Sequence, residues 1–401
     1  MTSDPILVDL ALQGGGAHGA FTWGVVDRLL EEPWLRIDGI SGTSAGAMNA
    51  AVLADGHAAG GAEGARAALE DFWRSVARAA LSSPLRRTPL DVLLGRWTLD
   101  HSPAFVAMDL ASRLFSPYDL SPSGFNPLRA ILAQHIDFER LAQAPIRVFV
   151  TATSVHTGRG RVFRNSAITP DVLLASACLP TLFQAIEIDG EPYWDGGYSG
   201  NPTITPLVRE CTSKDTILVQ INPVERPGIP RTARDILNRL NEVSFNAVLL
   251  KELRMIALLR QVASPGDCEG AAWAAMRIHR VASEAMATLG YSSKLNAEWN
   301  SCACCAMRGG ARLKPSWPRM GRISGGVHRS IWTCCSKASK PVNLAARKPA
   351  RPSERCFQRM EPFRIECRRG RRSPLLRRCS GDRCNRRRIL QTDYPINLCY
   401  S

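Results

Sequence analysis

A serine flanked by two glycines constrains this chain more than any other feature. Gly42-Thr43-Ser44-Ala45-Gly46 follows a short apolar strand predicted for residues 37–41 and opens a helix of small residues that runs to about residue 54. In a Gly-x-Ser-x-Gly pattern the serine lies on a sharp strand-to-helix turn that exposes its hydroxyl. The flanking glycines allow the tight turn and the close passage of helix and strand. Ser44 is therefore a candidate nucleophile, in front of helix amides that favour negative charge.

A second glycine-rich turn precedes the serine turn. The apolar run 6–12 is typical of a buried parallel strand, and it ends in Gly14-Gly15-Gly16-Ala17-His18-Gly19, which opens a helix over residues 20–31. Strand and helix therefore alternate over residues 5–55, and such units build parallel sheets with right-handed crossovers. A glycine loop at the start of a helix also offers free backbone N–H groups to an oxyanion.

The remainder of the first 300 residues continues this α/β pattern. Strands are predicted at 146–154, 161–164, 216–221 and 276–281, and a hairpin over 185–194 turns at Asp189-Gly190. Helices are predicted at 62–80, 126–141, 169–178 and 231–262, and the stretch 82–126 predicts irregular structure or a cap over the site. The helix 231–262 carries apolar and basic side chains, which suit packing on the sheet or, alternatively, contact with anionic lipid.

A third motif, Asp195-Gly196-Gly197, follows the predicted hairpin. Each of the three motifs lies at the carboxyl end of a predicted strand, where open parallel sheets place their sites. A serine at a strained turn supplies a nucleophile. A carboxylate in a glycine loop can accept the proton of that serine. The three motifs together therefore indicate acyl transfer.

These three motifs, in this order, resemble the patatin-like phospholipase family over roughly residues 6–300. The resemblance implies a three-layer α/β/α sandwich with a mainly parallel central sheet, and a lipid acyl hydrolase that works with a Ser-Asp dyad. It assigns Ser44 as nucleophile and Asp195 as general base. It also implies an oxyanion hole at Gly14, Gly15 and Gly16, supported by Gly19, Gly42, Gly46, Gly196 and Gly197. His18 departs from the family, where this position often carries Arg or Lys, and it can be neutral at pH 7.

Three other interpretations remain open. Gly14-x-Gly16-x-x-Gly19 also matches a dinucleotide fingerprint, but the acid that it needs at the end of the second strand is replaced by Asp38 at its start. A Ser-Asp-His triad would need His279 or His328 after Asp195. A catalytically silent lipid-binding protein would keep the same fold. The other histidines, at 57, 101, 135 and 156, are interpreted as surface or packing residues.

Charge and cysteine are distributed unevenly along the 401 residues. Residues 301–401 hold 24 of the 51 Lys and Arg, 5 of the 36 Asp and Glu, and 10 of the 13 Cys. We therefore expect a catalytic core over 6–222, a helical extension of the same domain over 223–299, and a basic, Cys- and Arg-rich tail over 300–401. The tail suits a disordered segment or a nucleic-acid-binding segment. Our preferred hypothesis is out-of-frame translation, because such sequence is rich in Arg, Cys, Ser, Pro and Trp.

The sequence also indicates where the protein acts and on what. Residues 1–9 lack the basic and apolar regions of a signal peptide, and no apolar run reaches the ~18 residues of a membrane span. Three cysteines in the first 300 residues fit a reducing compartment. We expect a cytoplasmic enzyme, with peripheral contact at the inner face of the membrane as a further option. Its partner would be a lipid or acyl-ester substrate, with no cofactor, no metal and no nucleic acid.

Overall fold

Five parallel strands form the centre of the sheet in the computed structural model, which describes residues 5–121, 124–263 and 268–313. They are β1 (Ile6–Leu12), β2 (Leu35–Gly42), β3 (Arg147–Ser154), β7 (Asp215–Gln220) and β8 (Arg277–Ala282). Their spatial order is β3-β2-β1-β7-β8, and all four pairings are parallel. The chain leaves β1 in one direction through β2 and returns to its other side at β7. Such a reversal of strand order is where open α/β sheets bind ligands, at the carboxyl ends of the strands.

Three short strands pair antiparallel at one edge of this sheet. They are β4 (Gly160–Arg164), β5 (Ile186–Ile188) and β6 (Glu191–Asp195). β4 pairs with β3, and β5 forms a hairpin with β6. The hairpin turns at Asp189, which has a φ of 55°, and at Gly190. The strand predicted at 161–164 and the predicted hairpin are confirmed.

Helices cover both faces of the sheet. One face carries α1 (Gly19–Leu30), α2 (Ala45–Ala80), α6 (Leu128–His135) and α8 (Pro170–Ser176); the other carries α9 (Thr205–Glu210), α10 (Ala233–Val262) and α11 (Cys268–Ala275). Strand side chains alternate between the two cores: Leu10 and Leu12 pack against the first set of helices, and Ala11 packs against the second. The expected three-layer α/β/α architecture with a mainly parallel sheet is therefore confirmed.

Six further helices occur among the described residues. They are α3 (Pro89–Leu93), α4 (Pro103–Leu114), α5 (Pro117–Leu120), α7 (Phe138–Ala142), α12 (Glu284–Ala287) and α13 (Trp299–Leu313). The stretch 82–126 is therefore a set of short helices rather than wholly irregular, and 126–141 is two helices rather than one. The helix predicted after the serine turn and the helix predicted at 62–80 are two parts of α2, which departs from helical geometry at Gly60 and Gly61. None of the described helices is both long enough and apolar enough to cross a bilayer.

The expected start of the tail, residue 300, falls inside α13. Cys302 and Cys305 are buried in the core, and the indole of Trp299 lies 5.9 Å from that of Trp23 in α1. Gly24 of α1 contacts the backbone of Ala306 so closely that a side chain at position 24 would clash with it. The other features predicted for the tail, including His328, lie outside the described residues.

The packing of α13 on α1 predicts whether one substitution, Gly24→Ala, stabilises or destabilises the protein. Gly24→Ala should destabilise the protein by roughly 1–3 kcal/mol, because the added methyl group overlaps the Ala306 carbonyl. Without α13 the same change in a helix interior would stabilise by about 0.5–1 kcal/mol. Chemical denaturation distinguishes the two signs. Gly310→Ala is the matched control, because its methyl group meets only an ordinary contact, 3.4 Å from the Gly24 carbonyl. A stabilised Gly24→Ala variant would contradict the docking of α13.

Candidate active site

Ser44 lies on a strained turn between β2 and α2. Its φ of 54° and ψ of −124° fall outside the regions that non-glycine residues favour. The glycines on either side permit the turn, since a side chain at Gly42 would come within 2.5 Å of the Gly46 carbonyl, and one at Gly46 would clash with the Leu12 carbonyl. Both are therefore required by close backbone approach, as the sequence predicts.

Two hydroxyl groups fix this turn from the side. The backbone N–H of Ser44 donates to Ser176 Oγ at 2.9 Å, and Ser176 in turn donates to the Thr151 carbonyl at 2.7 Å. The Thr43 hydroxyl donates to the Gly200 carbonyl at 2.7 Å. Ser176 was missed by the sequence analysis, because a serine near the end of a short helix carries no recognisable pattern.

The glycine loop lies directly against the Ser44 turn. A side chain at Gly14 would come within 2.8 Å of Ser44 Cβ and 2.6 Å of the Thr43 carbonyl, so only a bare backbone fits there. Gly16 has a φ of 58°, in the left-handed region that favours glycine. A side chain at Gly19 would approach Ala45 Cβ to 2.6 Å, which explains this glycine by the crossing of α1 and α2.

The three glycines assigned to an oxyanion hole differ in what their N–H groups do. Gly14 N–H donates to Asn201 Oδ1 at 2.7 Å and is therefore occupied. Gly16 is the first residue of a 3-10 turn (Gly16–His18), so its N–H has no acceptor within that turn. Within the described part of the chain, the N–H groups of Gly15 and Gly16 donate to no protein acceptor. The N–H groups of Gly15 and Gly16 remain the candidate oxyanion donors, whereas the N–H of Gly14 is hydrogen-bonded to Asn201.

Strands β2 and β6 lie along the same edge of β3, and this arrangement brings Asp195 close to Ser44. Strand β3 pairs with β2 up to Val150 and with β6 from Ala152 onward, while β4 spans both stretches and so occupies the opposite edge. Strand β6 therefore continues along the edge where β2 ends. Asp195 pairs with Ala152, two residues beyond Val150, and Ser44 lies two residues beyond Gly42, the partner of Val150. The two predicted residues thus meet at the same level.

The carboxylate of Asp195 is held within its own glycine loop. It accepts from Gly197 N–H at 2.7 Å, and the Asp195 side chain is almost fully buried. A side chain at Gly196 would clash with the Thr151 carbonyl, and one at Gly197 would clash with the ring of Phe245 in α10. The two glycines therefore let a strand and a helix approach the carboxylate closely.

Burial controls the proton affinity of Asp195. Loss of solvent raises its pKa to about 7, while the Gly197 N–H, a hydrogen bond from the Ser44 side chain and the positive charge of Lys294 act to lower it. A carboxylate with a pKa near 7 is a much stronger base than a solvated one and is still substantially ionised at neutral pH. The site therefore contains a candidate nucleophile beside a carboxyl group whose proton affinity suits a general base.

His18 is a buried, neutral side chain. Burial, with the nearby charges of Lys294 and Arg308, lowers its pKa to about 3. Its Nε2 lies 2.9 Å from Ser293 Oγ. His18 therefore supplies no positive charge at neutral pH, which confirms the expectation that a histidine can be neutral here.

A group of amides supports the glycine loop and was missed by the sequence analysis. Gln13 Oε1 accepts from the N–H groups of Ile221 and Asn222 at 2.8 and 2.7 Å, and Gln13 Nε2 donates to Asn246 Oδ1 at 2.9 Å. Asn222 Nδ2 donates to the Gly14 carbonyl at 3.0 Å. Two signals were available: Gln13 directly precedes the glycines, and Asn222 follows the strand predicted at 216–221.

The alternative partners lie elsewhere in the sheet. His279 pairs with Ile217 in the middle of β8, and its Nε2 contacts Asp215 Oδ1 at 2.8 Å. Asp215 is the first residue of β7, so this pair lies toward the amino-terminal ends of the parallel strands. The Ser44 turn lies at their carboxyl-terminal ends. Asp38 also lies toward the amino-terminal ends of the parallel strands, and its Oδ1 forms an ion pair with Arg147 Nη1 at 2.5 Å. It therefore cannot serve as the ribose ligand of a dinucleotide site.

One group of potential metal ligands occurs among the described residues. Ligand atoms of Asp9, Asp38 and Cys211 lie within 4.8 Å of one another. Both Asp38 oxygens already accept hydrogen bonds, from Arg147 and from Thr212. Burial raises the pKa of Asp9 to about 8, so this carboxyl group is largely protonated at neutral pH. The group therefore suits a hydrogen-bonded cluster better than a cation.

The chain resembles one protein family in sequence and several solved structures. Residues 10–208 match the Patatin family model, described as patatin-like phospholipase. Among solved structures, the chain is similar to VipD from Legionella pneumophila, with 15% identity, 76% of this chain and 67% of that chain covered, and a TM-score of 0.32. It is also similar to the ExoU-SpcU complex from Pseudomonas aeruginosa, with 18% identity, coverages of 76% and 52%, and a TM-score of 0.26. The chain thus spans about two thirds and about half of these proteins. No curated protein sequence matches it significantly.

The raised pKa of Asp195 predicts a pH-dependent difference in stability. Between its unfolded pKa of 3.8 and its folded pKa of about 7, the folded protein binds a proton that the unfolded chain has released. Wild-type stability should therefore fall as pH rises through this window, by at most about 1.4 kcal/mol for each pH unit from this group. Asp195→Asn lacks this contribution, so it should gain stability relative to wild type from pH 4 to pH 7. Denaturation curves at several pH values test this; a difference that does not change with pH would contradict it.

Proposed function

The chain belongs to the patatin-like phospholipase family by its domain over residues 10–208, and we propose that it is a lipid acyl hydrolase with a Ser44–Asp195 dyad. Ser44 is the nucleophile, Asp195 is the general base, and the N–H groups of Gly15 and Gly16 bind the oxyanion. The family implies a lipid acyl hydrolase; the assignment of these residues is our inference from the geometry.

The observation that carries the proposal is the contact of three bare-backbone turns around one hydroxyl. Ser44 is partly buried on a strained turn, Gly14 contacts it from one side, and the buried Asp195 carboxylate, whose proton affinity the Ser44 side chain lowers, lies at its other side. A nucleophile, a proton acceptor and free N–H donors are the parts that acyl transfer requires.

The reaction follows from the positions of these groups. Ser44 Oγ attacks the acyl carbonyl carbon while its proton passes to the Asp195 carboxylate. The carbonyl oxygen gains negative charge and lies against the N–H groups of Gly15 and Gly16. Collapse breaks the ester bond, and Asp195 returns the proton to the leaving alkoxide. Water, deprotonated by Asp195, then attacks the acyl carbon. The bond to Ser44 Oγ breaks, the fatty acid leaves, and Asp195 returns the proton to Ser44.

An apolar surface beside the site supports a lipid substrate. Large apolar side chains of the segment 81–125 are exposed, with Leu93 83%, Phe125 74% and Leu114 69% accessible. Two hydrogen bonds hold this segment on the domain: Leu99 N–H donates to Ser292 Oγ, and Gln184 Nε2 donates to the Ser121 carbonyl. Ser292 lies in the same turn as Ser293, whose Oγ contacts His18 of the glycine loop. Exposed apolar area of this kind is typical of a surface that meets lipid. We therefore propose peripheral contact with a membrane, which would place the enzyme at the inner face if it is cytoplasmic.

Covalent labelling tests the dyad. Wild type should react with a fluorophosphonate probe at Ser44 and hydrolyse acyl esters, while Ser44→Ala should do neither because the nucleophilic oxygen is absent. Asp195→Asn should be nearly as inactive, and the double variant should lose little more, since the two residues act as one unit. His279→Ala is the control, and it should remain active.

Two results would overturn the dyad. A folded His279→Ala variant as inactive as Ser44→Ala would favour a triad instead. A wild type that neither labels nor hydrolyses any ester would favour a silent lipid-binding protein. The acid limb of the pH–rate profile alone does not decide, because burial brings the pKa of Asp195 to about 7, close to that of an ordinary histidine.

Exposed apolar residues near the site should matter only at a lipid surface. Leu93→Ser and Phe125→Ser should each lower hydrolysis of phospholipid vesicles by about tenfold, because each loses on the order of 1.5 kcal/mol of burial in the bilayer. Hydrolysis of a short-chain, water-soluble ester should not change. Met307→Ser in α13 is the control, because Met307 is 68% exposed and lies outside both candidate lipid-contacting segments, 81–125 and 231–262. Equal losses on both substrates would contradict a membrane-contacting role.

A further inference from the structure

A short segment from the end of the domain covers the glycine loop. The 3-10 turn Ser292–Leu295 places the Lys294 carbonyl so close to Gly16 that a side chain at position 16 would clash with it. Ser293 Oγ donates to the Gly290 carbonyl at 2.7 Å, so its proton is occupied. His18 Nε2 must therefore carry the proton in the 2.9 Å contact with Ser293 and donate to its oxygen. The segment thus fixes the loop at two positions.

The side chain of Lys294 reaches under the same loop. Its Nζ donates to Asn222 Oδ1 at 2.6 Å, and the amide nitrogen of Asn222 donates to the Gly14 carbonyl at 3.0 Å. Gly14 in turn contacts Ser44. The ammonium of Lys294 is therefore linked to the candidate nucleophile through one amide and one peptide group. Its direct hydrogen-bond acceptor is a neutral amide oxygen rather than a carboxylate, so the charge is only partly compensated locally.

We propose that Lys294 is a positioning residue of this site, whose partly buried ammonium, hydrogen-bonded to Asn222, favours the ionised form of the Asp195 carboxylate and holds the glycine loop against Ser44. The inference rests on the proposed function, because it assigns Lys294 an effect on the base of that reaction. A buried positive charge favours the ionised form of a nearby carboxylate, and a low-dielectric interior strengthens the effect.

The charges around the two groups support this direction. Burial lowers the pKa of Lys294 to about 8, so the ammonium is still protonated while Asp195 titrates near 7. Glu242 and Asp195 favour the charged lysine, and Arg226 opposes it. Lys294 is also the cation that lowers the pKa of Asp195. Arg308 adds a second positive charge near His18. The other titratable groups that face this region are His18, Cys178, Tyr198 and Tyr291, which are neutral at pH 7, and Asp109, which acts on Tyr291.

The pH dependence of Ser44 labelling tests the proposal. The second-order rate of fluorophosphonate labelling of the full-length chain should fall as pH drops through the pKa of Asp195. Lys294→Met should move this acid limb upward by about one pH unit, because the charge that favours the carboxylate is gone. The plateau at high pH should also fall, by up to about 10²-fold, because the loop that carries the oxyanion donors is less well held. Lys294→Arg, which keeps the charge, should leave the limb near its wild-type position.

Ser293→Ala is the matched control for a structural effect. It removes the acceptor of His18 in the same turn without changing charge, so it can lower the plateau but should not move the limb. If Lys294→Met does not fold, Lys294→Gln replaces it, because glutamine keeps a hydrogen-bond donor toward Asn222. Glutamine lacks the positive charge, so the acid limb should still move upward.

The outcomes separate this inference from the proposed function. A wild type that does not label at Ser44 overturns both. A wild type that labels, with Lys294→Met or Lys294→Gln showing an unmoved acid limb, overturns the role of Lys294 alone. An equal shift in Ser293→Ala would assign the effect to loop geometry and would also overturn it.

Discussion

The close approach of bare backbone at Gly14 is the constraint on which the site depends. Three chain segments meet there: the loop after β1 lies directly against the turn after β2, with no side chain on Gly14 between them, and the loop after β6 joins them through the side chain of Asn201. Because strand order reverses at β1, the loops after β1 and β2 are neighbours at one edge, and the loop after β7 lies on the other side of β1. The parallel sheet therefore determines which loops meet, and the glycines determine how closely they meet.

Sequence patterns could predict these local features because each motif carries its own geometry. The strand at 6–12, the serine turn and the hairpin at Asp189-Gly190 follow from periodicity and from residues that tolerate unusual φ values. The meeting of Ser44 and Asp195 could not be derived in the same way. It depends on β6 continuing the edge of β3 where β2 ends, which is a matter of register between strands more than 100 residues apart. Resemblance to a family supplied that pairing; the residues alone did not.

The residues that the sequence analysis missed are those that act through hydrogen bonds across long separations. Ser176, Asn222 and Lys294 bond to groups 72 to 208 residues away along the chain. No periodicity or spacing identifies such partners, because an isolated Ser, Asn or Lys is ordinary on a protein surface. What distinguishes them here is burial. A polar side chain that is removed from water must find a partner, and the partner is visible only in the fold.

Composition and packing place the end of the domain at different residues. Charge and cysteine content change near residue 300, whereas the helix that follows packs on α1 through Gly24 and Ala306. This packing has a consequence for the site, because both helices continue directly from its components. Helix α1 begins at Gly19, one residue after the glycine loop, and α13 begins four residues after the turn that carries Lys294. The contact of α1 with α13 therefore holds the Lys294 segment against the loop. The electrostatic environment of Asp195 thus depends on a helix interface that touches neither Asp195 nor Ser44.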